Sequence, residues 1–242
     1  MPGAPAQGDE LRILYEDEWI LTVDKPAGII VHGDGTGRET LTDQVRAWLL
    51  QEGREREAAE LQPLQRLDRE TTGIVLFSTS KEAQPAFDAL IAGRGMEKRY
   101  LAIVHGGFPR EPQTFDGPIG RDRHDARRMR VSATGKPALT EARRLAYAHA
   151  DADGPERSLL AVDLHTGRRH QIRVHLSHAG HPVLGDELYG KPSVRELEQG
   201  LMLHASEEAF DHPMTGRHVC IAAPYPERFE ALFPSSDLQQ PL

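Results

Sequence analysis

Apolar and polar positions along this chain change over in short runs, and the period of each run predicts an element. Leu11 to Tyr15 and Ile20 to Val23 predict two strands parted by the acidic step Glu16-Asp17-Glu18. Asp24 to Gly35 is broken by Pro26 and by glycines, and predicts a loop around a short apolar strand. Leu41, Val45 and Leu49 recur at four-residue steps, so a helix is expected over 40–52, with Thr40 capping its start. Glu52 to Glu60 is polar and predicts a mobile connection. Ile74 to Phe77 is continuously apolar, as in a buried strand. Thr79 and Glu82 have the spacing of a capping box for a helix over 80–92, which Gly93 would end. Arg99 to Gly106 alternates Leu101, Ile103 and His105 against Tyr100, Ala102 and Val104, the period of a strand.

Residues 107–137 predict a loop or hairpin region. Strands are expected over 140–146 and 158–164, and a helix over 171–178 stopped by Gly180 and Pro182. Final strands are expected over 201–205 and 218–222, with the turn Pro213-Met214-Thr215-Gly216 before the second. Strands and helices that do not alternate as βαβ units favour an α+β fold. Its sheet should be mixed but mainly antiparallel, flanked by helices and loops.

Composition narrows the class. The 242 residues, 38% hydrophobic and 27% charged, describe an ordinary globular chain. Residues 1–10 read as a disordered lead without the features of a secretory signal, 11–232 as one catalytic domain and 233–242 as a tail. No apolar run approaches the roughly 20 residues a membrane helix needs. The single cysteine, Cys220, excludes an internal disulfide and suits a reducing cytoplasm. Its apolar surroundings predict a buried thiol.

The formal net charge of −8 hides a basic pattern. RDRHDARRMR, residues 121–130, holds five arginines against two aspartates, and no acid lies between Asp163 and Asp186. The local field of such a face can hold phosphate on an acidic protein. Solvated loop arginines are the other reading of the 121–130 run.

Candidate chemistry centres on QRLDRETTGIVLFS, residues 65–78. One carboxylate, Asp68, lies between Arg66 and Arg69 just before the apolar run. It is either an ion pair closing a turn or a nucleophile or base at the mouth of a buried strand. GxSxG, HExxH and CxxC are missing from the chain, and no GKT or GKS follows the glycines of 24–35. His170 and His175 are five apart, not on one helical face, and no carboxylate or thiolate lies near them in sequence to complete a metal shell. No metal and no cofactor is therefore expected.

The same 65–78 stretch resembles the HRLDxxTSGxxxxA signature of the RluA-type pseudouridine synthases. Further stretches fall in that family's order: DKPAGIIVHGDG (24–35), EKRYLAIVHG (97–106), TGRRHQIRVHLSHAGHPVLGDELYG (166–190) and LMLHASEEAFDHPMTG (201–216). The resemblance covers roughly 11–232. It departs at Gln65, where the family usually has histidine. Only about ten residues precede the core, so the small RNA-binding domain that some relatives carry in front is not expected. Together with GKPALTEARRL (135–145), that points to the branch acting on both ribosomal and transfer RNA.

The resemblance implies isomerisation of uridine in RNA to pseudouridine by a cytoplasmic enzyme, a monomer by default. It implies that Asp68 is the essential carboxylate, which either attacks C1′ or removes the 2′ proton. Tyr100 matches the family's active-site tyrosine, a ring to stack on uracil. Arg173 resembles the basic partner of the aspartate, with Arg168 and Arg169 as rivals. Arg66 resembles the residue that fills the space left by the extruded base. Ile172 and Leu176 would wall the base. Arg121, Arg128, Arg130, Lys136, Arg168, Arg169 and His170 would hold RNA, with affinity falling as salt rises. A non-catalytic RNA-binding factor on the same fold is the competing class, and a zinc hydrolase using the histidines is a third.

Overall fold

A computed structural model describes residues 11–33, 35, 37–150, 155–234 and 237. The 1–10 lead and most of the tail lie outside them. The chain divides into two compact units, 1–96 with 209–223 and 97–208 with 224–242.

In the first unit, β1 (Ile13–Glu16) and β2 (Ile20–Lys25) form an antiparallel hairpin. Helix α1 (Leu41–Gln51) follows, capped as its sequence predicts. Thr40 accepts from the Asp43 amide while Asp43 reaches back to the Thr40 amide. Ile29–Val31 is not a strand. The Ile30 and Val31 carbonyls accept from Leu41 and Thr42 at the helix start, so the run is spent on the cap. The 52–60 connection contains helix α2 (Glu55–Glu60), whose Ala58 is buried. A two-residue β3 (Gln62–Pro63) precedes β4 (Thr72–Ser78).

Every residue of β4 is buried, and β2 and β3 both pair with it. Leu41, Val45 and Leu49 of α1 close onto Leu21, Val23, Val75 and Phe77. Each such side chain contributes about 2 kcal/mol. Helix α3 (Gln84–Ala92) starts later than its expected residue 80, and the Thr79–Glu82 box does not form. The Thr79 amide donates instead to Trp19, residues 81–83 make a turn, and Pro85 sits in the first helical turn.

All of β5 (Met96–His105) but its first residue belongs to the second unit, and it is buried continuously over 100–104 rather than on one face. Next come β6 (Gln113–Phe115), the hairpin of β7 (Ile119–Arg121) and β8 (Met129–Val131), then β9 (Thr140–Ala148) and β10 (Arg157–Leu164). β10 is antiparallel to β5 on one side and to β9 on the other, and β6 extends β9. Helix α4 spans Gln171–His178, as its sequence predicts.

Helix α5 (Val194–Gln199) is absent from the expected elements, although Ser193 and Glu196 form its capping box. β11 runs Leu203–Asp211, past its expected end at Ala205. Its polar middle hid it; there Glu207 pairs with Arg99. β12 (His218–Ala222) and the short α6 (Glu227–Glu230) follow. Cys220 is exposed, correcting the expected buried thiol, because β12 buries alternate residues and Cys220 falls on its open face.

Candidate active site

The Asp68 loop is held mainly by backbone groups and one buried ammonium. Lys25 ends β2 with no exposed surface, and its Nζ donates to the carbonyls of Pro26 (2.8 Å), Ile29 (2.8 Å) and Arg69 (2.9 Å). A buried charge is tolerable only when its donors are used in this way. The Gly28 amide donates to the Arg69 carbonyl at 2.9 Å, and Arg69 Nε returns a bond to the Gly28 carbonyl at 3.0 Å. Gly28 has φ of 87°, a conformation that suits glycine. The two loops are thus stitched together beside Asp68. The Asp68 carbonyl closes the turn with the Thr71 amide at 3.2 Å. The Asp68 side chain is half-buried, and Arg66 is exposed. Arg69 also pairs with Glu70, a structural role in keeping with its carbonyl and guanidinium bonds.

Tyr100 and Arg173 lie in the second unit. Tyr100 sits on β5 opposite Val162, 6% exposed. Arg173 is buried on α4. Its Nε and Nη2 meet Asp186 Oδ2 and Oδ1, each at 2.8 Å. Asp186 Oδ1 also accepts the amides of Leu188 and Tyr189 at 3.0 Å. A bidentate pair with those extra bonds fixes the guanidinium plane. The Arg173 guanidinium also lies over the Tyr189 ring, 5.2 Å from its centroid.

Helix α4 is clamped at its start and its middle. Buried Gln171 donates to the Leu139 carbonyl and Thr140 Oγ1 and accepts from Thr166 and the Arg168 amide. His175 Nε2 meets the Gly117 carbonyl at 2.8 Å. A carbonyl only accepts, so Nε2 carries the proton and Nδ1 takes the Thr140 hydroxyl at 3.0 Å. Burial holds the His175 pKa below its ordinary value. These bonds place His175 in the packing of α4.

The expected RNA-binding cations separate into two kinds. Arg121, Arg130 and Lys136 are exposed on or beside the β7–β8 hairpin. Arg128 is half-buried over the Tyr189 ring at 5.3 Å, and its Nε is buried with no hydrogen-bond partner. Arg168 donates to the Pro137 carbonyl and exposed Arg169 to the Arg127 carbonyl. His170 precedes α4 in a left-handed conformation, φ 56°, with Nδ1 2.7 Å from the Tyr189 hydroxyl. Asp125 engages Arg127, which draws the Asp125 pKa down to about 2 and takes one cation out of the basic run. Ile172 keeps 4% exposure. Leu176 has none, so it could meet a base only if its packing moved.

Among the described residues, no three His, Cys, Asp or Glu side chains converge as metal ligands. None of their helices is long and apolar enough to cross a membrane. Lys25, Asp186 and Tyr189 escaped the sequence reading. The last two lie inside the GDELYG stretch, where a carboxylate and an aromatic three residues apart were the available signal.

Residues 19–178 match the family model of RNA pseudouridylate synthase. The chain is 36% identical over 218 residues to the uncharacterized RNA pseudouridine synthase YhcT of Bacillus subtilis, covering 90% of this chain and 69% of that protein. It is 37% identical over 248 residues to ribosomal large subunit pseudouridine synthase D of Pseudomonas aeruginosa, covering 93% and 71%. Among solved structures, human RNA pseudouridylate synthase domain containing 1 matches with a TM-score of 0.74 and 27% identity, over 93% of this chain and 87% of that one.

Proposed function

Since the chain belongs to the RluA-type RNA pseudouridine synthases, we propose that it isomerises uridines of large-subunit ribosomal RNA with Asp68 as the essential carboxylate. The observation that carries the reading is the family match over 19–178, which includes the Asp68 loop. Transfer RNA is the alternative substrate. The relatives named for the ribosomal large subunit put ribosomal RNA first. The exposed single cysteine accords with a reducing cytoplasm. We take the enzyme to be a monomer, which light scattering on the RNA-free protein checks.

In the reaction the C1′–N1 bond breaks, the uracil turns, and a C1′–C5 bond forms. C5 loses a proton and N1 ends with one, so the product is an isomer and the balance needs no co-reactant. Asp68 either attacks C1′ or takes the 2′ proton, and both routes need a carboxylate oxygen at the sugar. Tyr100 offers a ring to the flipped uracil, and Arg173 supplies a fixed cation. A paired uridine must leave its stack at a cost of a few kcal/mol. Exposed Arg66, a planar cation on the Asp68 loop, suits the vacated space. Arg121, Arg130 and Lys136 would hold phosphates, with Arg168, Arg169 and His170 beside them, and Ile172 would border the base.

The test is incubation with uridine-labelled ribosomal and transfer RNA transcripts, followed by digestion to nucleosides. Pseudouridine should appear in the ribosomal transcript. Its absence from every RNA would sink the enzymatic reading and leave an RNA-binding factor. Its appearance in transfer RNA alone would move the substrate.

A further inference from the structure

Tyr189 is built into both the basic hairpin and the arginine helix of the second unit. Its hydroxyl accepts the Met129 amide of β8 at 2.8 Å and bonds His170 Nδ1, at the start of α4, at 2.7 Å. Its ring carries Arg128 from the hairpin at 5.3 Å and Arg173 from α4 at 5.2 Å. Tyr189 is only 9% exposed and packs with Ile119, Ala138 and Val174, which come from both elements and the segment between them.

The hairpin needs such a tether. Its strands are three residues each, and a two-stranded ribbon of that size is marginal alone. Beyond its own ladder it is held by the Ile119–Lys136 backbone pair, by Arg169 on the Arg127 carbonyl and by Tyr189. Two guanidinium groups share the Tyr189 ring, and like charges that close repel. Asp186 neutralises Arg173. Arg128 instead lies in the field of Asp122 and Asp125, and its Nε is buried without a hydrogen-bond partner. An RNA phosphate on the exposed hairpin cations Arg121 and Arg130 would offset the remaining like-charge repulsion and settle the hairpin on Tyr189. The same ring and hydroxyl set the start of α4 and the face on which Arg173 rests.

We propose that Tyr189 is a positioning residue that couples RNA capture by the 119–131 hairpin to the aim of the Arg173 guanidinium. This rests on the reading that the hairpin holds RNA. Arg130, exposed on β8, serves as the probe on the hairpin.

The test is a double-mutant cycle on Tyr189→Phe and Arg130→Ala. It is read by filter binding and by single-turnover pseudouridine formation at saturating protein. Tyr189→Phe keeps the ring and loses both hydroxyl bonds. It should slow the saturated rate about tenfold and leave RNA affinity within about twofold. Arg130→Ala should weaken binding and also slow the saturated rate of the wild type. In the Tyr189→Phe background it should weaken binding only. Additive rate losses would overturn the coupling, as would an unchanged rate in Tyr189→Phe. If Arg130→Ala leaves binding unchanged, the hairpin does not hold RNA. The proposal then falls through that premise, a result the binding arm shows by itself. His170→Asn, which tolerates the left-handed backbone, removes the other hydroxyl partner and should reproduce the Tyr189→Phe rate loss. A wild-type rate in His170→Asn would also count against the coupling.

Discussion

The loop that carries Asp68 and the helix that carries Arg173 are fixed by different means. Around Asp68 the named bonds run between backbone carbonyls, the Gly28 amide, the Lys25 ammonium and the Arg69 guanidinium. The named bonds of that scaffold do not pass through the side chains at 66 and 68. Around Arg173 the bonds run between side chains: Asp186 on its fork, Tyr189 under its plane, Gln171 and His175 pinning its helix. There the functional cation is also a structural one. The buried arginine cannot be cut out of its side-chain network without loosening the fold.

Asp68→Asn should give the largest effect. Turnover should fall by about a thousandfold or more while RNA binding survives. Appreciable residual turnover would remove Asp68 from its role. Asp186→Ala is the matched cut in the other region. It removes the bidentate partner of a buried guanidinium and should cost about 4 kcal/mol in denaturant unfolding, with activity falling alongside. If Asp68→Asn proves the more destabilising of the two, the contrast between the regions is wrong. Lys25→Met tests the backbone frame itself. Three carbonyls lose their donor, so stability should drop by about 3 kcal/mol and turnover should fall although Lys25 reaches no substrate in this reading. A stable, fully active Lys25→Met protein would mean that the loop holds itself.

How much of this was legible follows the same division. Helix α4 has its expected bounds, and the Thr40–Asp43 cap opens α1 where the sequence places it. Both signals lie within four residues. The Asp68 loop could be located by its local pattern, but its Lys25 support bridges 44 residues to Arg69. Tyr189 reaches 60 residues back to Met129. No period of 2 or 3.6 records such partners. β11 extends past its expected end where Glu207 faces Arg99, and a charge with a distant partner looks like a loop charge when seen alone. The Thr79–Glu82 box shows the converse. A correct local pattern lost to tertiary bonding once the Thr79 amide was drawn to Trp19.

The smallest expected effect separates the regions by acid. The two histidines whose pKa burial lowers, His175 and His204, both belong to the second unit. His204 on β11 is fully buried, and burial, then the Arg228 charge, pushes its pKa down to about 3. In the unfolded chain it protonates near 6.5. Between those values the unfolded state binds the extra proton, so the contribution is complete above 6.5 and is lost as pH falls toward 3. At pH 5 the loss should be about 2 kcal/mol. Hydrogen exchange at pH 5 against pH 7, corrected for intrinsic rates, should show amides of 171–178 and 203–206 losing protection before those of 72–78. His204→Leu keeps the site apolar and should remove most of that acid sensitivity. If β4 opens as early as α4, or if His204→Leu leaves the pH dependence unchanged, the acid response does not originate in the buried histidines of the second unit.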